Sequence, residues 1–474
     1  MSRAVHPAGP LHADMLPEGA VGPPPDDLNA LTPTVWSTTA QRAGGAVQIG
    51  GVDLREIARR FGTPAYVLDE ADFRARARAH REAFEGFDVY YAAKAFLCSA
   101  VARWLAEDGL SLDVCSLGEL VTARRAGFPA ERIALHGNNK SITELAVALD
   151  EGVGRIVLDS FVEIDRLAKL AADRGVRPQV LVRASVGVEA HTHEFIATAH
   201  EDQKFGFAVA TGEALEAVRR VLSSAPLQLV GLHSHIGSQI FDTAAFELAA
   251  HRLVRLATRV RDQHDVELPE LGLGGGLGIA YVPGDDPPGA QEFAVSLRSI
   301  IEQECAANGI AVPRLSVEPG RAIVGPTTCT VYEVGTVKPV RIGSSGVRTY
   351  VSVDGGMSDN IRTALYGADY SCVVAGRESD SPPVVGRVVG KHCESGDIVV
   401  RDVYLPGDVA PGDLLAIPGT GAYCRAMASN YNYAPRPPVV AVRDGHAREI
   451  VRRETIDDLL AGDVDLAEEA AGRG

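Results

Sequence analysis

Lys94 stands where a charge is expensive. The run Tyr90-Tyr91-Ala92-Ala93-Lys94-Ala95-Phe96 reads as a buried β-strand that ends in a lysine. A buried ammonium is costly unless it is paired or neutralised. Desolvation lowers a lysine's pKa and makes its amine a nucleophile, suited to a Schiff base with an aldehyde. The other reading is a strand-end lysine that snorkels to solvent. A second segment, Ser316-Val317-Glu318-Pro319-Gly320-Arg321, joins a carboxylate to an arginine three residues on. A carboxylate facing a pyridine nitrogen keeps it protonated and makes the ring an electron sink. The arginine suits a carboxylate gripped by two parallel hydrogen bonds. A structural Glu–Arg pair reads from the same residues.

Gly272-Leu273-Gly274-Gly275-Gly276-Leu277-Gly278 is neither a dinucleotide fingerprint nor a Walker loop, because Leu277 holds the sixth position and no Lys-Ser/Thr follows. Adjacent glycines still admit close backbone approach and offer N–H groups to an anion. A tight turn is the alternative. His233 and His235 lie two apart, as do His191 and His193. On a strand each pair points one way, a possible metal geometry. Neither pair has a third ligand at suitable spacing, so no metal is expected. A flat imidazole can instead stack on an aromatic ring, with Gly237 and Ser238 near an anionic group. Three polar loops lie further on. One carries Arg362 and Tyr366. The second, Gly390–Asp397, places Cys393 between His392 and Glu394, a candidate proton donor. The third ends at Tyr423.

The elements that must position these groups alternate. Eight apolar runs, at 89–95, 112–115, 133–136, 156–159, 179–183, 229–235, 271–274 and 315–318, are separated by seven helical patterns. One, Ser141–Leu149, opens on a capping-box signature with Glu144 three residues after Ser141. Such alternation over roughly 250 residues predicts a (β/α)8 barrel of the TIM type. Its strand ends carry Lys94, Asp113, His136, Asp159, Arg183, His235, Gly274–Gly276 and Glu318. Strand C-termini are where such barrels keep their chemistry. The barrel is expected over residues 58–323. After about 324 helical periodicity fades, and short strands between Gly, Pro and Asp turns predict a mostly β, β-barrel-like second domain. Residues 28–57 are expected to join it, and residues 1–27 read as a flexible Pro/Gly/Ala-rich tail.

Composition bounds the rest. The 474 residues carry 46 Lys+Arg against 62 Asp+Glu, a net charge of −16. That argues against nucleic acid and anionic membranes as partners. The seven cysteines show no CxxC spacing and read as free thiols of a reducing, cytoplasmic compartment. No apolar run approaches the about 20 residues of a membrane span.

The motifs YYAAKAF, HSHIGSQ, GLGGGLG, EPGR, DGGMSDNIR, GKHCESGD and GTGAY occur in this order between residues 90 and 423. Together they resemble the diaminopimelate decarboxylases, fold-type III pyridoxal-phosphate enzymes, and the resemblance spans about 28–460. The extended N-terminal tail resembles that of actinobacterial members. The resemblance implies that Lys94 is joined to pyridoxal 5'-phosphate and that His235 stacks on its ring. Glu318 would face the ring nitrogen. Ser238, Gly274, Gly275, Gly276, Gly320 and Tyr423 would hold its phosphate or edge. Arg321, Arg362 and Tyr366 would bind the distal carboxylate of meso-diaminopimelate, with Tyr423 close by. Cys393 and Glu394 would enter from the partner subunit of a homodimer, with Cys393 or Lys94 as the final proton donor and Glu394 at the distal ammonium. The implied product is L-lysine, the last step of lysine biosynthesis. Decarboxylases of ornithine, arginine or carboxynorspermidine share the fold, but their substrates offer buried arginines no distal carboxylate. A non-catalytic pyridoxal-phosphate carrier would not need the β domain bearing Cys393. A racemase of the alanine type avoids a protonated ring nitrogen, against Glu318.

Overall fold

The computed structural model describes residues 22–188, 204–342 and 346–466. Most of the expected tail and the His191/His193 pair lie outside them. The chain divides into two compact units. One comprises Asp72–Ile279 and Asp286–Gly325; the other comprises the chain up to Ala71, Ala280–Asp285 and the chain from Pro326.

The first unit is a closed parallel barrel of eight strands. In chain order they are Phe87–Ala92, Ser111–Val114, Ile133–Leu135, Arg155–Leu158, Gln179–Ser185, Gln228–His233, Glu270–Gly272 and Arg314–Val317. Each pairs in parallel with the next, and the eighth closes on the first through Leu315↔Phe87 and Val317↔Val89. A short strand, Phe207–Ala208, adds to the edge of Gln179–Ser185. Among the described residues seven helices make the crossovers, since parallel neighbours cannot be joined by hairpins.

Three successive strand-to-helix junctions share one device. Ser116, Ser141 and Ser160 are N-caps whose hydroxyls accept from the backbone N–H of Glu119, Glu144 and Glu163. Each glutamate returns a bond to a backbone N–H of its own junction: Cys115, Ser141 and Asp159. Each serine cap is worth about 1 kcal/mol. Their position matters more, because they clamp the loops that follow Asp113, His136 and Asp159. Behind the last of them Lys140 and Glu163 form a buried ion pair at 2.7 Å.

The second unit is mainly antiparallel sheet. Its central strand, Thr328–Ile342, pairs with Gly346–Val353 on one side and Ala65–Asp69 on the other, and also with Leu414–Ile417. Pro383–Val389 and Ile398–Pro406 extend one edge, Val439–Arg443 and His446–Val451 the other. Residues 41–53 form a separate three-stranded sheet, and its Val47, Ile49 and Val52 enter the same core as Val331, Ala416 and Val440. The sequence reading begins the barrel at 58. The strand Ala65–Asp69 instead hydrogen-bonds in register to Thr328–Val331, which puts the division at 71. Its apolar residues satisfy either sheet equally, so local pattern does not choose between them. Among the described residues no helix is long and apolar enough to cross a membrane.

Candidate active site

The first barrel strand ends at Ala92, and Lys94 sits in a single 3-10 turn, Ala93–Ala95, just beyond it. The premise of a fully buried ammonium is therefore corrected: the Lys94 side chain is 39% exposed, and its Nζ lies 3.6 Å from Asp113 Oδ2. Bending into a turn carries the amine past the strand end into the barrel mouth. Asp113 is the buried partner. Burial pushes its carboxyl up to about 7, against the pull of Lys94.

From Asp113 the polar groups run on without a break. His136 Nε2 is 3.7 Å from Asp113 Oδ1 and 3.4 Å from Glu318 Oε1. His233 Nε2 is 2.8 Å from the same Glu318 oxygen. Burial opposes ionisation of Glu318, but His233, His136 and Lys94 outweigh it and hold the carboxyl well below its usual range. His136 moves the opposite way, far down, because burial disfavours its cation. Glu318 is thus the ionised member and His136 the neutral one. On the neighbouring strand ends Arg183 Nη1 lies 3.7 Å from Asp159 Oδ2, and Asp159 Oδ1 accepts from Gly206 N–H at 2.7 Å.

His235 does not point with His233. The strand stops at His233, so the two-residue alternation ends there. His235 Nδ1 accepts from the Gly275 N–H at 3.1 Å, which fixes the ring and leaves it neutral, its pKa driven far down by burial. The glycine run is built for contact. A Cβ on Gly274 would lie 2.5 Å from Ser234 O, one on Gly276 2.5 Å from Gly237 O, and one on Gly275 would collide with Glu318 O. Gln239 ties the two loops together, donating to Ile279 O at 2.7 Å and accepting from Ile279 N–H at 3.2 Å. Beside them the buried Arg321 guanidinium donates to Ser238 Oγ at 2.9 Å. Gly320 packs so tightly on Ala92 that a Cβ would sit 2.9 Å from that methyl.

This mouth fits a phosphorylated pyridine aldehyde. It offers an amine, a neutral ring-sized imidazole, an ionised carboxylate and a glycine-rich loop pair whose N–H groups suit an anion. Buried polar atoms without a hydrogen-bond partner also gather here: Asp113 Oδ2, Asp159 Oδ2, His233 Nδ1 and Ser234 Oγ. His136, His233 and Glu318 are the one group among the described residues with metal-ligating atoms in mutual reach, within 4.8 Å. The sequence reading rejected His233 as a ligand for want of a nearby partner. That partner is Glu318, 85 residues away, which local spacing cannot reveal.

In the second unit Arg362 is 5% exposed and opens a one-turn helix, Arg362–Tyr366, so Tyr366 lies on its face. Its guanidinium stands 4.5 Å from the Tyr281 ring centroid and 5.5 Å from that of Tyr370, and donates to the Tyr370 hydroxyl. Its Nε has no partner, and among the described residues no carboxylate is at ion-pair distance. Tyr281 and Tyr370 escaped the sequence reading, since neither sits in a motif. Cys393 is exposed on a tight hairpin. The Gly390 N–H bonds Asp397 O at 2.9 Å, and the Glu394 N–H bonds His392 O at 2.8 Å. His392 anchors it with Nδ1 on Asn432 Oδ1 and Nε2 on Ser358 Oγ, at 2.9 and 2.7 Å. Tyr423 adopts a left-handed backbone, φ 61°, which is rare for a bulky residue and marks a constrained loop.

Residues 70–325 match the family model described as pyridoxal-dependent decarboxylase, pyridoxal binding domain. The chain is 56% identical over 469 residues to a diaminopimelate decarboxylase of Mycobacterium leprae, covering 97% of this chain and 99% of that one. A diaminopimelate decarboxylase of Bacillus subtilis is 46% identical, with 90% and 97% covered. Among solved structures, the diaminopimelate decarboxylase of M. jannaschii in complex with L-lysine superposes with a TM-score of 0.84 at 31% identity, covering 90% of this chain and 98% of that one.

Proposed function

We propose a function from the premise that this chain belongs to the pyridoxal-dependent decarboxylases and, within them, to the diaminopimelate decarboxylases. It removes one carboxylate of meso-2,6-diaminopimelate as carbon dioxide and releases L-lysine, using pyridoxal 5'-phosphate. When bound, the cofactor supplies an aldehyde for amines and a protonated ring that takes up the electron pair left by the departing carbon dioxide.

Each side chain has a task in that chemistry. Lys94 would hold the cofactor through its amine, and Asp113, 3.6 Å from Nζ, would take up or return a proton there. Glu318 stays ionised and keeps the ring nitrogen protonated. His235, held neutral by the Gly275 N–H, offers a flat face without adding charge. Gly274–Gly276, Ser238, Gly320 and Tyr423 hold the phosphate or the ring edge. Arg321 and Arg362, with Tyr366, bind the distal carboxylate, and Tyr423 lies near the substrate. Cys393 or Lys94 returns a proton to the substrate carbon.

One observation carries the choice of substrate. Arg362 is a buried cation with no carboxylate beside it among the described residues. An unpaired buried charge costs several kcal/mol, which an anionic ligand recovers. Diaminopimelate brings that anion; ornithine and arginine do not. The purified protein supplied with pyridoxal phosphate should form lysine from meso-diaminopimelate and no diamine from ornithine or arginine. A diamine from either, with no lysine, would overturn the assignment.

The proposed unit of function is a cytoplasmic homodimer in which Cys393 and Glu394 serve the partner's substrate. Free thiols throughout and an exposed Cys393 hairpin support it. Mixing inactive Lys94→Ala with inactive Cys393→Ala protein should restore activity through hybrid dimers. No recovery after subunit exchange would rule out a shared site.

A further inference from the structure

His233 is a buried group of the barrel mouth that the chemistry above leaves unused. It is 1% exposed, and its ring reaches Glu318 only because the neighbouring strand makes room. A Cβ at Gly272 would lie 2.9 Å from His233 Cδ2 and 3.2 Å from Ser316 Oγ. His136 meets the same carboxylate, its ring at 73° to that of His233 with centroids 4.9 Å apart. Both imidazoles face Oε1 of Glu318, at 2.8 and 3.4 Å.

A carboxylate on a long side chain turns easily about its last torsion. The His233 hydrogen bond restricts that freedom, and His136 Nε2 closes on the same oxygen at 3.4 Å. We propose that His233 and His136 are positioning residues that hold Oε1 of Glu318 and so present Oε2 to the ring nitrogen of the cofactor. This rests on the pyridoxal-phosphate reading above. A metal site is the competing use of the three groups. Ligands about 2.0–2.1 Å from a tetrahedral zinc stand about 3.3 Å apart. The 2.8 Å between His233 and Glu318 is a hydrogen-bond distance and too short for two such ligands.

The test uses the loaded enzyme with His233→Ala, His233→Asn and His136→Ala. His233→Ala should lower kcat about 10- to 100-fold with KM within about 2-fold, the range seen when a supporting hydrogen bond to a functional ligand is lost. It should also shift the absorption band of the bound cofactor. His233→Asn, which keeps an N–H, should recover part of both. A wild-type band and kcat in His233→Ala would overturn the proposal, even if the melting temperature fell. If His233→Ala does not fold, His136→Ala and His233→Asn decide by the same two readouts. Zinc bound one-to-one in cofactor-free protein, and lost in His233→Ala, would also overturn it. Wild-type protein that makes no lysine would sink the substrate reading, while the cofactor band would still decide the brace.

Discussion

Two buried carboxylates, one in each unit, are shifted in opposite directions. Glu318 in the barrel mouth is held ionised, far below the ordinary range. Asp359 in the β unit is pushed up to about 7. Burial opposes the charge in both, so burial does not decide. The partners do. Glu318 faces His233, His136 and Lys94. Asp359 receives the Tyr332 hydroxyl and the Gly356 N–H, with Asp354 and Asp397 adding repulsion. In the barrel mouth Glu318 is held as an ion, whereas in the β unit Asp359 is a polar staple that ties Tyr332 to the Gly356 loop.

The largest effect that separates the two follows removal of each charge. Glu318→Gln should lower kcat by on the order of 10^3-fold, as when one preorganised electrostatic group is lost. Asp359→Asn should leave kcat within about 3-fold; steady-state rates on both variants check this, and equal losses would break the contrast.

Stability against pH comes next. Asp359 has a raised folded pKa, so its contribution is complete below about 4 and is lost as pH rises through about 7. The span is at most about 4 kcal/mol. Denaturant unfolding of Asp359→Asn across pH 4–7.5 should lack this decline. His80, in the barrel unit, runs the other way. Burial lowers it to about 4, partly opposed by its bond to Arg76 O. The unfolded chain therefore binds the extra proton, and stability falls as pH drops from 6.5 to 4, by at most about 3 kcal/mol. His80→Gln should flatten that acid limb; an unchanged slope would place the titration elsewhere.

The smallest effect falls on Arg362. Arg362→Met should raise KM for diaminopimelate about 10- to 100-fold, the worth of a charged hydrogen bond. It should not lower the melting temperature, since an apolar replacement of a buried, uncompensated charge is neutral or stabilising. A large destabilisation would mean that the tyrosines already satisfy the cation.

Much of this was legible before any coordinates. The eight barrel strands show because the apolar runs alternate with helical patterns, and Lys94 and Glu318 stand out as charges at run ends. Ser141 with Glu144 announces a helix start, and the structure has both halves of that box. What was not legible depends on pairings with no local period. His233 finds Glu318 85 residues on, and Arg362 finds Tyr281 81 residues back. Ala65–Asp69 is a strand in either sheet until its partner is known. The turn after Ala92 is too short for periodicity to register, and it moved Lys94 from a buried to a half-exposed setting.

The seam between the first and eighth strands has a consequence for the newly made chain. Lys94 follows one of these strands and Glu318 the other, and the two strands are hydrogen-bonded neighbours. During synthesis, a ribosome that has released residues through Asn308 has released seven strands and the seven described crossover helices, yet neither the eighth strand nor Glu318. Closing so long a loop is slow, and added pyridoxal phosphate should favour the finished ring over any shorter intermediate.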